Sequence, residues 1–160
     1  MSSEFEFMDD SYPPELRAMM GVYVMFWKLD EFFQTVTTDP PLGKQERHLL
    51  VRLDQPKRMG VLAAQMAALP STVTAAAMAL EAHDLVLRER DPKDRRAWRV
   101  QLTERGEKLR NKLIAEAASA FSTLSGLTRP EIDRLADITT KAGVNILKQG
   151  IPEGMKRENC

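Results

Sequence analysis

The sequence predicts a mainly α-helical protein with one small β-hairpin near its middle. Over most of the 160 residues, apolar side chains recur at intervals of three and four, the spacing of one helix face. Between residues 85 and 102 the interval changes to two, the alternation of a β-strand. The two alternating runs flank Asp91-Pro92-Lys93-Asp94, whose residue types favour turns. We therefore expect helices on both sides of a single hairpin.

The composition fits one folded domain with a real core, since 43% of residues are hydrophobic and 29% are charged. No apolar run approaches the roughly 20 residues that cross a bilayer, and the N-terminus is acidic where a signal peptide is basic. These features predict a cytoplasmic protein without membrane contact. The single cysteine, Cys160, excludes an intramolecular disulfide and is expected to be an inert tail residue rather than a redox sensor.

The first predicted helix runs from Glu15 to Val36 and has an unusually wide, aromatic-rich apolar face. Asp39-Pro40-Pro41 ends it, because proline cannot continue a helix. A face this wide should pack on more than one surface, and a second subunit is a natural partner. We therefore assign residues 1–14 to an N-terminal arm and 15–38 to a dimerisation helix.

Three shorter helices follow, over residues 43–53, 59–68 and 71–83, with a basic turn at Lys57-Arg58 and a break at Pro70. In the third of them, the residues predicted to face inward are Val73, Ala76, Ala77 and Leu80. The predicted strands of the hairpin are Leu85 to Arg90 and Ala97 to Leu102. In the second strand, Trp98, Val100 and Leu102 are expected on one face.

Two longer helices complete the chain. Thr103 is expected to cap a helix through Leu124, and Thr128-Arg129-Pro130-Glu131 has the spacing of a capping box before a helix through about Lys148. Both helices carry apolar stripes, so residues 104–150 are assigned to dimerisation and 151–160 to a tail.

Charge is segregated along the chain although the formal net charge is zero. Residues 1–40 hold eight acidic residues and two basic ones, whereas residues 88–112 hold ten basic and five acidic ones. Contact with phosphate is local, and a distant acidic segment is largely screened beyond about 10 Å. The basic segment therefore predicts an anion-binding face.

Two short helices around a tight turn suit insertion of the second helix into the DNA major groove. Ser71, Thr72 and Thr74 open that helix and can donate to phosphates or base edges, although Ser71 could equally be a helix cap. On the hairpin, Lys93, Arg95 and Arg96 can reach a phosphate or a narrow minor groove, and Arg99 belongs to the same basic segment. The alternative for the hairpin is a solvated charged loop.

These residues resemble the multiple-antibiotic-resistance regulator (MarR) family of winged helix-turn-helix transcription factors. The resemblance covers residues 42–106 and rests on Leu62-Ala63, Pro70-Ser71-Thr72-Val73-Thr74, Leu80-Glu81, Leu85-Val86, Arg90-Asp91-Pro92-Lys93-Asp94-Arg95-Arg96 and Leu102-Thr103-Glu104-Arg105-Gly106. It implies a winged helix-turn-helix domain over 42–103 and a homodimer, built through helices from both termini, that binds a pseudo-palindromic operator.

The resemblance also implies roles for single residues. Helix 70–83 would be the recognition helix in the major groove, and residues 91–96 would form the wing at the minor groove. Arg96 would enter the minor groove, Asp94 would orient arginine, and Arg95 would contact phosphate.

The sequence departs from the family pattern at three positions. Ala75 stands where the family commonly has arginine, Leu69 where a polar cap is usual, and Asp84 where glycine often precedes the first strand. The alanine-rich recognition helix offers little bidentate contact with bases, so sequence preference is expected to depend on DNA shape and on the wing.

Family members commonly respond to small aromatic ligands, and the resemblance implies a repressor that such a ligand releases. Tyr23, Phe26 and Trp27 are candidate ligand contacts, with core or dimer packing as the alternative. The two histidines, His48 and His83, lack the spacing of a metal site, and no nucleophile motif or phosphate-binding glycine loop is present. We therefore expect neither a cofactor nor an enzyme. The rival hypothesis is a winged-helix protein-interaction module that has lost DNA binding.

Overall fold

The structure, a computed structural model, describes residues 11–149. The N-terminal arm predicted at 1–14 lies largely outside these residues, and the 151–160 tail with Cys160 lies wholly outside them. Along the described chain the elements are α1 (Pro14–Thr35), α2 (Lys44–Arg52), β1 (Lys57–Arg58), α3 (Met59–Met66), α4 (Pro70–Ala82), β2 (Val86–Asp91), β3 (Asp94–Leu102), α5 (Glu104–Ser125) and α6 (Arg129–Gln149). The predicted helices and the hairpin are thereby confirmed.

The chain divides into two compact units, the first ending at Ala120 and the second beginning at Phe121. The first unit contains the core, which joins α2, α3, α4, the sheet and the first half of α5. Its buried residues are Leu42, Leu49, Leu50, Leu53, Leu62, Ala63, Val73, Ala76, Ala77, Leu80, Leu85, Val86, Val100 and Leu113. All four residues predicted to face inward from α4 belong to it.

The sheet has three antiparallel strands in the order β1-β3-β2. Within β1, Lys57 pairs with Val100 and Arg58 with Arg99. The prediction of a turn at Lys57-Arg58 is therefore wrong, because these two residues form the third strand. Two residues are too few to show an alternating pattern in the sequence.

The hairpin is tighter than expected. Strand β3 begins at Asp94 rather than Ala97, so Asp94, Arg95 and Arg96 lie in the strand and only Pro92 and Lys93 separate it from β2. The predicted placement of those three residues in or beside a longer turn is corrected accordingly. Of the residues predicted to share one face of the strand, Val100 is buried and Trp98 is 42% exposed.

Helix α5 begins where three segments meet. The Thr103 hydroxyl accepts from the Gly106 N–H at 3.0 Å and donates to the Asp84 carbonyl at 2.7 Å, so the predicted cap is confirmed. A Cβ at Gly106 would overlap the carbonyl oxygen of Leu85. Asp84 itself has a φ of 55°, a left-handed conformation that glycine adopts most readily. The expectation of glycine at this position thus has a conformational basis.

Helix α6 lies in the second unit, and Glu131 forms one half of the predicted capping box at its start. The Thr128 N–H donates to Glu131 Oε2 at 2.8 Å, and the Thr128 hydroxyl donates to the same oxygen at 2.6 Å. These bonds lower the pKa of Glu131, the hydroxyl of Thr128 having the larger effect.

Candidate nucleic-acid interface

Helix α4 presents the predicted hydroxyl groups near its first turn. It begins at Pro70, whose missing N–H would have no partner there, and the N-cap residue Leu69 makes no side-chain cap bond. Ser71 lies inside the helix, so its interpretation as a cap is wrong. Ser71 and Thr74 are exposed and Thr72 is half-buried.

The wing is ordered by two aspartates at the ends of its strands. Asp91 Oδ1 accepts from the Lys93 N–H at 2.7 Å, and Asp94 Oδ1 accepts from the Arg96 N–H at 3.1 Å. Asp94 therefore contacts the main chain of Arg96 and not its guanidinium. Both aspartates act on their own backbone two residues on, which stabilises a tight turn.

Three wing cations are exposed and unpaired. Lys93, Arg95 and Arg96 make no side-chain hydrogen bond or ion pair within residues 11–149, so their charges face solvent. Arg99 differs, because its guanidinium bonds Glu89 at 2.6 Å from Nε and 2.5 Å from Nη2. Of the four predicted wing cations, three are therefore exposed without an ion-pair partner in the described residues, and the fourth, Arg99, is paired with Glu89.

An ion pair between Arg58 and Asp91 was not foreseen from the sequence. Arg58 Nε donates to Asp91 Oδ2 at 2.6 Å, across 33 residues of chain. This bond has the largest effect on the pKa of Asp91, which it holds below the usual value, and the bond from the Lys93 N–H has the next largest. The same ion pair raises the pKa of Arg58. Asp91 is buried, so the pair fixes the base of the wing to the start of α3.

A second unforeseen pair joins α4 to the sheet. Glu81 accepts from the Arg88 guanidinium at 2.6 Å and from the Arg88 N–H at 3.3 Å. Beside it, the Arg90 guanidinium stacks on the Trp98 ring at 4.1 Å. Helix α4 is therefore fastened to β2 by an ion pair, and a cation–π contact joins β2 to β3.

A cavity of about 320 Å³ lies elsewhere in the first unit, between α1, α2 and α5. Its apolar lining includes Phe33, Val51, Leu113, Ile114 and Ala117, and its charged lining comprises Lys44, Arg47, Arg52 and Asp30. His48 also lines it, and its pKa is lowered, first by burial and then by the nearby cations Arg52 and Lys44. Lys44 is paired with Asp30 at 2.6 Å, whereas Arg47 and Arg52 donate to main-chain carbonyls and have no carboxylate partner among the described residues. Two guanidinium charges beside an apolar wall make this cavity suitable for an anion with an apolar body.

The three predicted ligand contacts do not line this cavity. Tyr23, Phe26 and Trp27 are 70%, 65% and 54% exposed on α1. Helix α1 as a whole has no buried residue, and neither has α6, whose Ile138, Ile146 and Leu147 are more than 60% exposed. Each helix therefore carries an apolar face that its own unit leaves uncovered.

Over residues 11–149 there is no group of three or more histidine, cysteine, aspartate or glutamate residues that could hold a metal ion. No single helix in this part of the chain is long and apolar enough to span a membrane. Only α3 and α4 taken together reach that length and composition, and they are bent by 111° at the break between them.

Comparison with known proteins gives one family. Residues 45–98, from α2 to the middle of β3, match the family model described as "MarR family". A helix-turn-helix-type transcriptional regulator of Bacillus subtilis (strain 168), YkoM, is 29% identical over 91 residues, which are 56% of this chain and 59% of YkoM. The matched segment thus spans less than two thirds of that relative's length.

Solved structures share the fold. The transcriptional regulator SlyA superposes with a TM-score of 0.68 at 20% identity, covering 82% of this chain and 95% of SlyA. CouR from Rhodococcus jostii RHA1, solved with bound p-coumaroyl-CoA, superposes with a TM-score of 0.55 at 25% identity, covering 70% of this chain and 78% of CouR. The arrangement of helices and the three-stranded sheet is therefore that of winged-helix regulators.

Proposed function

We propose that this chain is a cytoplasmic, DNA-binding transcription regulator of the MarR family and not an enzyme, because residues 45–98 match the model of that family. The observation that carries the proposal is the set of three unpaired wing cations, Lys93, Arg95 and Arg96, on the hairpin that follows α4. Helix α4 would enter the major groove, and the wing would reach the adjacent minor groove.

The test is binding of the purified protein to duplex DNA flanking its own gene, titrated against salt with unrelated duplex as competitor. Specific binding whose affinity falls steeply with salt supports a regulator that neutralises several phosphates. If neither this DNA nor any duplex from a genome-wide selection binds above competitor, the protein is instead an interaction module built on the same fold.

We also propose that the regulator is a homodimer held by α1 and α6. Support comes from the exposed apolar residues of both helices. Removing their apolar surface from water in a dimer interface would contribute about 25 cal/mol of binding free energy per Å². A two-fold dimer would present two copies of α4 and of the wing to a pseudo-palindromic operator.

Analytical ultracentrifugation tests the dimer. The wild type should sediment with the mass of two chains, and Leu147→Glu should shift it toward one chain, because Leu147 is 81% exposed within its own unit. Lys141→Glu, at an exposed position on the same helix, is the control. A wild type with the mass of one chain at every concentration would contradict the proposal.

We further propose that the regulator is a repressor released by a small aromatic anion bound in the α1–α2–α5 cavity. Phe33 offers an aromatic contact, and Lys44, Arg47 and Arg52 outnumber Asp30. The p-coumaroyl-CoA bound to CouR, an aromatic acid derivative, supports this class of ligand. A dimer on a promoter represses simply by excluding polymerase.

Calorimetry with matched aromatic acids and their neutral amides tests the ligand class, and transcription in vitro tests release. Acids should bind and restore transcription, whereas amides should do neither. Ala117→Trp should fill the cavity and abolish the response while operator binding persists, and Ala118→Trp, at an exposed neighbouring position, should keep it. Equal binding of acids and amides would show that the cations of the cavity do not contribute to ligand binding.

A further inference from the structure

The exposed face of α4 carries two hydroxyl groups but no charged and no amide side chain. Its buried side holds Val73, Ala76, Ala77 and Leu80, so the opposite side faces outward. That outward stripe, spaced by three and four residues, consists of Ser71, Thr74, Ala75, Met78 and Ala82. None of them is charged or carries an amide. The one ionisable residue of α4, Glu81, is engaged by Arg88.

The hydroxyl of Thr74 is turned back onto the helix. Its Oγ1 donates to the Pro70 carbonyl at 2.9 Å, which uses its only proton. Its methyl group, the Ala75 methyl and the 53% exposed side chain of Met78 are then the groups available to a partner at the centre of the stripe. Such a surface cannot make the bidentate hydrogen bonds with which arginine recognises guanine and glutamine recognises adenine.

A major groove offers one apolar feature that distinguishes base pairs, the 5-methyl group of thymine. Every base pair presents hydrogen-bonding groups that methyl groups cannot satisfy, so for an apolar surface the thymine methyl is the feature that favours one base over the others. We propose that the stripe formed by Thr74, Ala75 and Met78 recognises thymine 5-methyl groups, so that each half-site of the operator carries thymines under the centre of α4. This inference rests on the proposed function, because it requires α4 to lie in the major groove.

The wing complements this mode of recognition without replacing it. Lys93, Arg95 and Arg96 can supply affinity through phosphates and groove electrostatics, which carry little direct information on base identity in the major groove. Discrimination between T·A and C·G pairs under α4 is then left to the apolar stripe. The expected half-site is thymine-rich at its centre, and its recognition depends on methyl groups rather than on hydrogen bonds.

Deoxyuridine substitution in the selected operator tests the inference. Replacing thymine by deoxyuridine removes only the 5-methyl group and keeps the base pair and its O4 acceptor. Substitution at each contacted thymine should weaken binding about fourfold, which corresponds to the transfer free energy of one methyl group. Substitution of thymines outside the half-sites should leave the affinity unchanged.

A half-site whose thymines can all be replaced with less than a twofold change, while specific binding persists, would overturn the inference and leave the proposed function standing. A selected half-site with G·C pairs under α4 would do the same. Failure to bind any duplex above competitor would overturn both together, so the two failures are distinguishable.

A variant pair assigns the effect to the stripe. Ala75→Gly removes one methyl group from the protein, and deoxyuridine at the position that it contacts should then cost less than twofold. Ala79→Gly, at a half-buried position beside the stripe, carries the same loss of helix propensity and should keep the fourfold effect. If deoxyuridine substitution weakens binding equally in both variants at every position, Ala75 does not contact a thymine methyl group.

Discussion

Replacement of Arg96 by alanine is the most direct perturbation of the proposed interface. The side chain is exposed and makes no contact that the fold needs, and the backbone bond from its N–H to Asp94 survives the change. Stability and dimer mass should therefore be unaltered. Any change in DNA binding can then be attributed to the lost guanidinium.

The expected magnitude follows from the number of charges removed. A hydrogen bond to a charged group contributes about 1.5–3 kcal/mol, so loss of even one such contact predicts at least about a tenfold loss of affinity. A dimer loses two cations, one from each wing, and each contributes about 0.9 to the slope of log K against log salt. The slope should therefore become shallower by about 1.8.

Fluorescence anisotropy over a range of salt concentrations measures both quantities. Arg134→Ala, an exposed arginine on α6, is the matched control and should leave affinity and slope as in the wild type. An Arg96→Ala protein with wild-type affinity and slope would refute the assignment of the wing to the DNA interface.

Three further outcomes concern the fold that supports this interface. Gly106→Ala should lower the unfolding free energy, measured by urea titration, by about 1–3 kcal/mol, because the added Cβ meets the Leu85 carbonyl. Gly60→Ala is the control and should not lower it, because the space around Gly60 is open. Ala67→Gly should raise the unfolding free energy by about 0.5–1 kcal/mol, since Ala67 has a φ of 47°; an unchanged or lowered midpoint would count against strain there. The pKa of Asp91 is lowered in the fold, so its stabilising effect is present above the unfolded-state pKa and is lost as pH falls through the folded-state value. Asp91→Asn should abolish that acid-side loss, and a pH profile identical to wild type would contradict the role of Arg58.

The sequence was sufficient for most of the secondary structure, because each long element has a regular apolar period. The inward residues of α4 and the caps at Thr103 and Thr128 followed from the same local rules. Strand β1 could not be predicted this way. It consists of two residues, and only its pairing with β3 makes it a strand.

The sequence also did not predict side-chain contacts between residues that are far apart along the chain. Nothing near Arg58 in sequence indicates Asp91, and the pairing of Arg99 with Glu89 depends on the hairpin register. The cavity shows the same limitation. Helix α1 is apolar on such a wide face that its sequence does not indicate which aromatic residue turns inward, and the structure selects Phe33.

The cavity and the interface are linked by a continuous series of contacts within the first unit. Arg52 lines the cavity and donates from Nε to the Gln65 carbonyl of α3 at 3.2 Å, while Lys57 Nζ holds the Gln65 side chain at the same distance. Arg58, the next residue, carries the ion pair to Asp91 at the wing. An anion that attracted Arg52 would compete with the Gln65 carbonyl for its guanidinium. It would thereby alter the support of α3, which leads directly into α4. A ligand bound at the cavity would then change the geometry of both elements that we propose to contact DNA.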